Sequence, residues 1–126
     1  MQNLIPTEHL EQVTLIAWYR RTYKNELLVA IPNGGKRHIK TALAMKQEGV
    51  SKGFPDLFLP VPNSKSHGLF IEMKRQKGGV VSKEQKEWLE YLNIVGYQAT
   101  VCKGFLEAKE VVECYLNNTI HTIKNG

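Results

Sequence analysis

Two short apolar runs near the middle of the chain, residues 56–59 and 69–74, constrain its fold more than any other feature. Gly53 and Pro60 bracket the first run, and a polar turn over 62–68 separates it from the second. Short apolar runs between turn residues predict strands, and two that follow each other so closely predict a hairpin-like pair. Such strands belong in a protein interior, so other parts of the chain must cover them.

Periodic segments on both sides of this pair supply the covering layers. Helices are predicted over residues 7–23, 36–48, 82–95 and 105–116, and further strands over 27–31 and 98–102. In the first helix, Leu10, Val13 and Ala17 recur at helical spacing and predict its core face. The order α-β-α-β-β-α-β-α predicts the α/β class, with a mixed β-sheet flanked by helices.

Length, charge and cysteine content bound the class of protein. A chain of 126 residues fits one domain over 1–126, with a core at about 7–116 and a flexible tail at 117–126. The formal charge of +5 permits a polyanionic partner without requiring one. No apolar stretch approaches the roughly 20 residues that a membrane span needs. Cys102 and Cys114 stand in apolar contexts and are interpreted as buried free thiols, which suits a reducing cytoplasm.

Charged residues stand at the ends of the two central strands. Asp56 opens the first, and Glu72 and Lys74 share one face of the second, because residues two apart on a strand point the same way. Hairpin pairing would bring Asp56 beside Glu72, and two such carboxylates repel each other unless a cation neutralises them. Mg²⁺ or Mn²⁺ suits these ligands and supports phosphodiester cleavage, with Lys74 orienting water or steadying negative charge. Spacing alone leaves open that Glu72 and Lys74 form a solvated edge and Asp56 a turn.

A longer pattern contains these residues. Gly53-Phe54-Pro55-Asp56-Leu57, followed further on by Glu72-Met73-Lys74-Arg75, resembles the PD-(D/E)xK nuclease signature. More narrowly it resembles the VRR-NUC domain, the virus-type replication-repair nuclease module, in its stand-alone phage and bacterial form. Other pieces similar to this family are residues 31–35, Glu48-Gly49, Ser82 with Gln85, and Gly96-Tyr97. The similarity runs from about Glu8 to Leu116.

This resemblance implies a restriction-endonuclease-like αβββαβ core, here with one inserted helix. It implies that Asp56, Glu72 and the backbone carbonyl of Met73 bind the metal, Mg²⁺ or Mn²⁺. It further implies that Lys74 assists the attacking water.

The resemblance also implies an acidic residue from the first helix that joins the metal and catalytic groups. Glu11 is our choice for this role, with Glu8, one turn earlier on the same face, as the alternative. Gln85 has two interpretations. The family places it at the active site, whereas its spacing from Ser82 predicts a capping box at a helix start.

Basic residues are expected to hold a DNA backbone. They are Lys36, Arg37 and Lys40 near the start of the inserted helix, and Arg75 and Lys77 after the catalytic strand. Stand-alone family members resemble Holliday junction resolvases, which implies a homodimer acting on branched DNA in replication or repair. A flap nuclease and a non-catalytic module that binds branched DNA remain alternatives.

Overall fold

The computed structural model describes residues 4–32 and 39–125, with side chains described outside 39–41 and 119–125. Its helices are α1 (Glu8–Tyr23), α2 (Ile39–Gln47), α3 (Lys83–Ile94) and α4 (Phe105–Asn125). Its strands are β1 (Val29–Ala30), β2 (Leu57–Leu59), β3 (Leu69–Lys74) and β4 (Gln98–Lys103). This order confirms the α/β class, with α2 as the inserted helix.

The four strands form one mixed sheet in the order β1-β2-β3-β4. β1 and β2 are antiparallel, as are β2 and β3, whereas β3 and β4 are parallel. The parallel pair requires a crossover, which α3 supplies between the two strands. β3 therefore lies inside the sheet, with a hydrogen-bonded neighbour on each side, and all six of its residues are buried.

Alternation along β3 divides the interior into two apolar clusters. Leu69, Ile71 and Met73 belong to the larger one, which α1 and α4 also line. Each fully buried side chain of this size contributes roughly 1.5–3 kcal/mol relative to exposure. Phe70 belongs to the smaller cluster, together with Leu92 of α3. Because residues two apart share a face, the charged residues of β3 lie on the α3 side of the sheet.

The predicted core face of α1 is wrong. Leu10 and Val13 are 50% and 47% exposed, and Ala17 is exposed as well. The buried residues are instead Glu11, Leu15 and Tyr19, which recur every four positions. Apolar residues occur all around this helix, so its periodicity did not distinguish the face that packs on the sheet from the face that does not.

Two further expectations are corrected at the end of the chain. α4 continues to Asn125, past residue 116 where the sequence pattern placed its end. Cys102 is buried as expected, but Cys114 is exposed, so the interpretation of both cysteines as buried thiols holds for one of them only. Across the described residues, no helix combines the length and apolar character needed to cross a membrane.

Candidate active site

Asp56 and Glu72 lie beside each other where β2 and β3 pair. Leu57 is opposite Ile71 in this antiparallel register, and continuing it by one residue sets Asp56 opposite Glu72. Asp56 Oδ2 accepts a hydrogen bond of 2.8 Å from the backbone N–H of Met73, which holds the Asp56 carboxylate against β3. The hairpin thus brings together the two acids that the sequence spacing pointed to.

Glu72 is a buried acid whose hydrogen-bonding capacity is only partly used. It is 2% exposed. Its Oε2 accepts from Gln85 Nε2 at 2.8 Å and lies 3.7 Å from Lys74 Nζ. Its Oε1 is buried and has no hydrogen-bond partner among the described residues. Burial first, and then the neighbouring Asp56 carboxylate, raise the pKa of Glu72 to about 8, against the opposing charge of Lys74.

Lys74 is the cation of this group. It is 8% exposed, and its ion pair with Glu72 compensates part of the cost of burying its charge. The loop after β3 folds back over its aliphatic stem at Gly79. A Cβ at Gly79 would lie 3.2 Å from Lys74 Cβ, so the close approach favours a residue without a side chain. Packing and the ion pair together hold the amino group beside Glu72.

Gln85 forms the predicted capping box and also donates a hydrogen bond to Glu72. Its Oε1 accepts from the backbone N–H of Ser82, and the Ser82 hydroxyl accepts from the Gln85 N–H, which completes the capping box of α3. Its Nε2 donates to Glu72. One amide therefore joins the first turn of α3 to the buried acid of β3.

Gly53 allows the loop before Asp56 to approach the first turn of α3. Its φ is +88°, and a Cβ there would lie 2.7 Å from the backbone carbonyl carbon of Glu84. The loop therefore packs directly against the first turn of α3. This contact sets the position of Asp56 relative to Gln85.

The two acids of α1 occupy different environments. Glu11 is 4% exposed, its Oε1 accepts from the Phe105 N–H at 2.9 Å, and its Oε2 accepts from Gln76 Nε2 at 2.8 Å. One of its oxygens thus accepts at the start of α4, and the other accepts from the loop after β3. Partial burial, and then the charge of Asp56, raise the pKa of Glu8, while the charge of Lys74 lowers it. The charge of Glu8 also raises the pKa of Glu72.

The charges of Asp56 and Lys74 thus act on the pKa of the alternative, Glu8. Our first choice, Glu11, belongs to a hydrogen-bond network with Phe105 and Gln76. Gln76, which lies in the loop after β3, joins that network through its side-chain amide. No signal in the sequence identified either fact, because both depend on which face of α1 meets the sheet.

The donor set fits a hard divalent cation. Within the described ranges, no group of three or more His, Cys, Asp or Glu side chains converges to hold a metal ion. Asp56, Glu72 and the Met73 carbonyl would give an oxygen set that leaves other positions to water, as Mg²⁺ and Mn²⁺ accept. A cation bound here would give the unpartnered Oε1 of Glu72 a partner. It would also stabilise the ionised form of Glu72, whose pKa is raised beside Asp56.

The predicted DNA-binding residues are only partly placed. Arg75 and Lys77 are exposed in the loop that follows β3, next to the acids. Lys36 and Arg37 lie outside the described residues. Lys40 lies in the first turn of α2, and its side chain is not among those described.

Comparisons with known proteins agree on one family. A model of the VRR-NUC domain matches residues 3–106. A solved structure named "VRR_NUC domain protein" superposes with a TM-score of 0.79 at 28% sequence identity, covering 94% of this chain and 93% of that chain. Among curated proteins, nothing matches the chain.

Proposed function

The chain belongs to the VRR-NUC domain family, a family of PD-(D/E)xK nucleases, and on that premise we propose that it is a divalent-metal-dependent endonuclease that cuts branched DNA. The observation that carries the proposal is the pairing of Asp56 with the buried acid Glu72. The Oε1 of Glu72 has no hydrogen-bond partner among the described residues, and its Oε2 lies 3.7 Å from Lys74 Nζ. An apolar interior does not keep such a group unless it has a use there, because burying charge is costly.

The proposed chemistry assigns the metal to Asp56, Glu72 and the Met73 carbonyl. Mg²⁺ or Mn²⁺ held there supplies positive charge that polarises a phosphodiester and lowers the pKa of a nearby water. Lys74, held by Glu72 and by the packing of Gly79, stabilises negative charge that develops on the phosphate or orients the water. Gln85 is a positioning residue, since its amide fixes the rotamer of Glu72.

We assign the acid of the first helix to Glu8 in place of Glu11. The charges of Asp56 and Lys74 both act on Glu8. Because no three acidic side chains converge on one point among the described residues, we expect Glu8 to contact the metal through a water molecule. Glu11 belongs instead to the network that anchors α4 and the loop after β3.

The substrate side of the proposal rests on charge and symmetry. Arg75 and Lys77 stand exposed beside the acids, and the chain carries a net charge of +5. Lys36, Arg37 and Lys40 are proposed to extend this basic surface. A two-fold homodimer matches the symmetry of a four-way junction, so we propose a Holliday-junction-resolvase-like role in phage or bacterial DNA replication or repair, in a cytoplasmic setting.

The test is cleavage of a labelled four-way junction, a 5′ flap and plain duplex, with Mg²⁺ or Mn²⁺ and then with EDTA. Lys74→Ala should lower the cleavage rate by on the order of 100-fold or more, because it removes a charge that acts on the transition state. Lys65→Ala is the matched control, because it removes an exposed charge in the turn between β2 and β3, at the end of the hairpin opposite Asp56 and Glu72, and should change the rate little.

The outcomes separate the candidate functions. Paired symmetric nicks on the junction would support a resolvase, and cleavage confined to the flap would support a flap nuclease. Tight binding to branched DNA without cleavage in either metal would contradict the catalytic proposal and leave a recognition module. Equal rates for Lys74→Ala and the wild type would contradict the role given to Lys74.

A further inference from the structure

An open pocket beside the proposed active site has no part in the mechanism above. Its volume is about 560 Å³, within the range of pockets that bind small molecules, roughly 300–1,000 Å³. Among the described residues its walls are Ser51, Lys52, Glu84, Glu87, Trp88 and Tyr91. We refer to it as the Trp88 pocket.

Trp88 is held in a fixed orientation in this pocket. Its Nε1–H donates to Ser51 Oγ at 3.1 Å. Its ring meets Phe54 edge to face, with centroids 4.8 Å apart and planes at 78°, and it meets Tyr91 similarly at 6.0 Å. Tyr91 is 54% exposed, so its ring is accessible from solvent. The pocket therefore offers planar surfaces for stacking that are already oriented.

The Trp88 pocket adjoins the proposed active site through two elements. On α3, Trp88 follows Gln85 by three positions, which places the two side chains on neighbouring parts of the helix surface. On the other wall, Ser51 and Lys52 lead into Gly53, which packs against the first turn of α3, and then into Asp56. A strand bound at Asp56 thus lies close enough to reach the pocket with an adjacent nucleotide.

The charges of the pocket favour a base over a phosphate. Glu84 and Glu87 supply carboxylates, which repel a phosphate but accept hydrogen bonds from the amino and imino groups of a base. Lys52 offsets only one of these two negative charges. The occupant that fits is planar, uncharged and rich in N–H donors.

We propose that the Trp88 pocket binds one unpaired nucleobase of the DNA strand that enters the active site, stacked on Trp88 or Tyr91. This inference rests on the proposed function and extends it by naming what the enzyme recognises at a branch. Paired bases are inaccessible to such a pocket, so the pocket selects DNA that carries an unpaired nucleotide next to the cleavage site.

The test uses tryptophan fluorescence, because the chain has only two tryptophans. Trp18 packs against Tyr23 and Phe105 in the other part of the molecule. Trp18→Phe therefore leaves Trp88 as the only emitter, and Trp88→Phe leaves Trp18 as the matched control. Both are combined with Lys74→Ala so that the DNA stays intact. The probes are two flap DNAs of equal length, one with a deoxycytidine arm, whose bases carry amino groups, and one with an abasic arm.

If the pocket binds a base, the deoxycytidine arm quenches the emission of Trp88 and leaves that of Trp18 unchanged. Its affinity, measured by anisotropy, exceeds that of the abasic arm by about tenfold or more. Tyr91→Ala, at an exposed position that does not threaten the fold, reduces this difference. Equal emission and equal affinity for the two arms would overturn the inference. So would quenching that depends on protein concentration alone, because a second copy of the chain would then be the occupant.

Failure of this inference and failure of the proposed function give different results. Metal-dependent cleavage without any effect of the base removes only the role of the Trp88 pocket. Base-dependent quenching, together with a wild-type protein that cuts no DNA, would support a site for unpaired bases and contradict the nuclease proposal.

Discussion

At the scale of single residues, Glu8 and Glu11 show how two acids on one helix have different surroundings. They are one turn apart, yet Glu11 is buried and accepts one hydrogen bond from the start of α4 and one from the loop after β3. Glu8 is more exposed, and the charges of Asp56 and Lys74 act on its pKa. A carboxylate at a helix N-terminus is also favoured by the helix dipole. Because Glu11 is buried and its hydrogen bonds are satisfied, we expect it to stabilise the fold.

Alanine substitutions at the two positions should separate these roles. Glu11→Ala leaves the Phe105 N–H and the Gln76 amide without their acceptor, so we expect a loss of about 1–3 kcal/mol in the free energy of unfolding. Glu8→Ala should lower the cleavage rate and leave the stability nearly unchanged. Thermal melting tests the effect on stability. Cleavage rates, measured well below the melting temperatures of the two variants, test the effect on activity. A stable Glu11→Ala protein that has lost cleavage would return the first-helix acid to Glu11.

At the scale of elements, the contact between the loop at Gly53 and the first turn of α3 aligns the two halves of the candidate site. β2 and β3 set Asp56 against Glu72 by register, and α3 brings Gln85 to the same acid. The loop joins these parts because Gly53 lies against the backbone of Glu84 with no side chain between them. The packing of the loop against α3 thus explains why the first position of the Gly-Phe-Pro-Asp motif is a glycine.

Gly53→Ala should damage both stability and cleavage. Its φ of +88° is unfavourable for any residue with a Cβ, at about 1–2 kcal/mol, and the added methyl would also meet backbone atoms at 2.7 Å. Gly49→Ala is the matched control, because its φ is +101° and nothing lies within 4 Å of the added methyl. We expect both variants to be less stable and only Gly53→Ala to lose cleavage. Full activity of Gly53→Ala at low temperature would show that this contact does not position the site.

At the scale of the whole molecule, the protonation of Glu72 couples folding to pH. The pKa of Glu72 is about 8 in the folded chain, against an ordinary value of 4.5. Between these values the folded state binds more protons than the unfolded state does. The free energy of unfolding therefore falls as the pH rises, with a slope from this group of at most about 1.4 kcal/mol per pH unit.

Glu72→Gln should remove this pH dependence. In EDTA, the variant should gain stability relative to the wild type as the pH is raised from about 5 to about 8, measured by chemical denaturation at each pH. Other titrating groups are common to both proteins, so the difference reports on Glu72. Near the upper pH, Mg²⁺ should stabilise the wild type, whose acid is then more readily ionised, and should not stabilise the variant. A difference between the proteins that stays constant with pH would show that Glu72 is ionised throughout.

The sequence by itself determined the elements and the central acids. Strand length, turn residues and capping signals act over a few neighbouring residues, so they predicted the order of the eight elements and the start of α3 at Ser82. The two-residue period of a strand likewise set Glu72 and Lys74 on one face. The motif around Asp56 and Glu72 identified the family that the comparisons then showed.

Only the tertiary structure decided how distant segments meet. The core face of α1 depended on what packs against a helix that is apolar on several sides, so Glu11 and Glu8 could not be distinguished beforehand. The exposure of Cys114, the hydrogen bond from Gln76 to Glu11, and the pocket between Ser51 and Trp88 likewise join or separate residues far apart in the chain. Local patterns carry no information about such contacts, because their free energy arises only when the layers pack together.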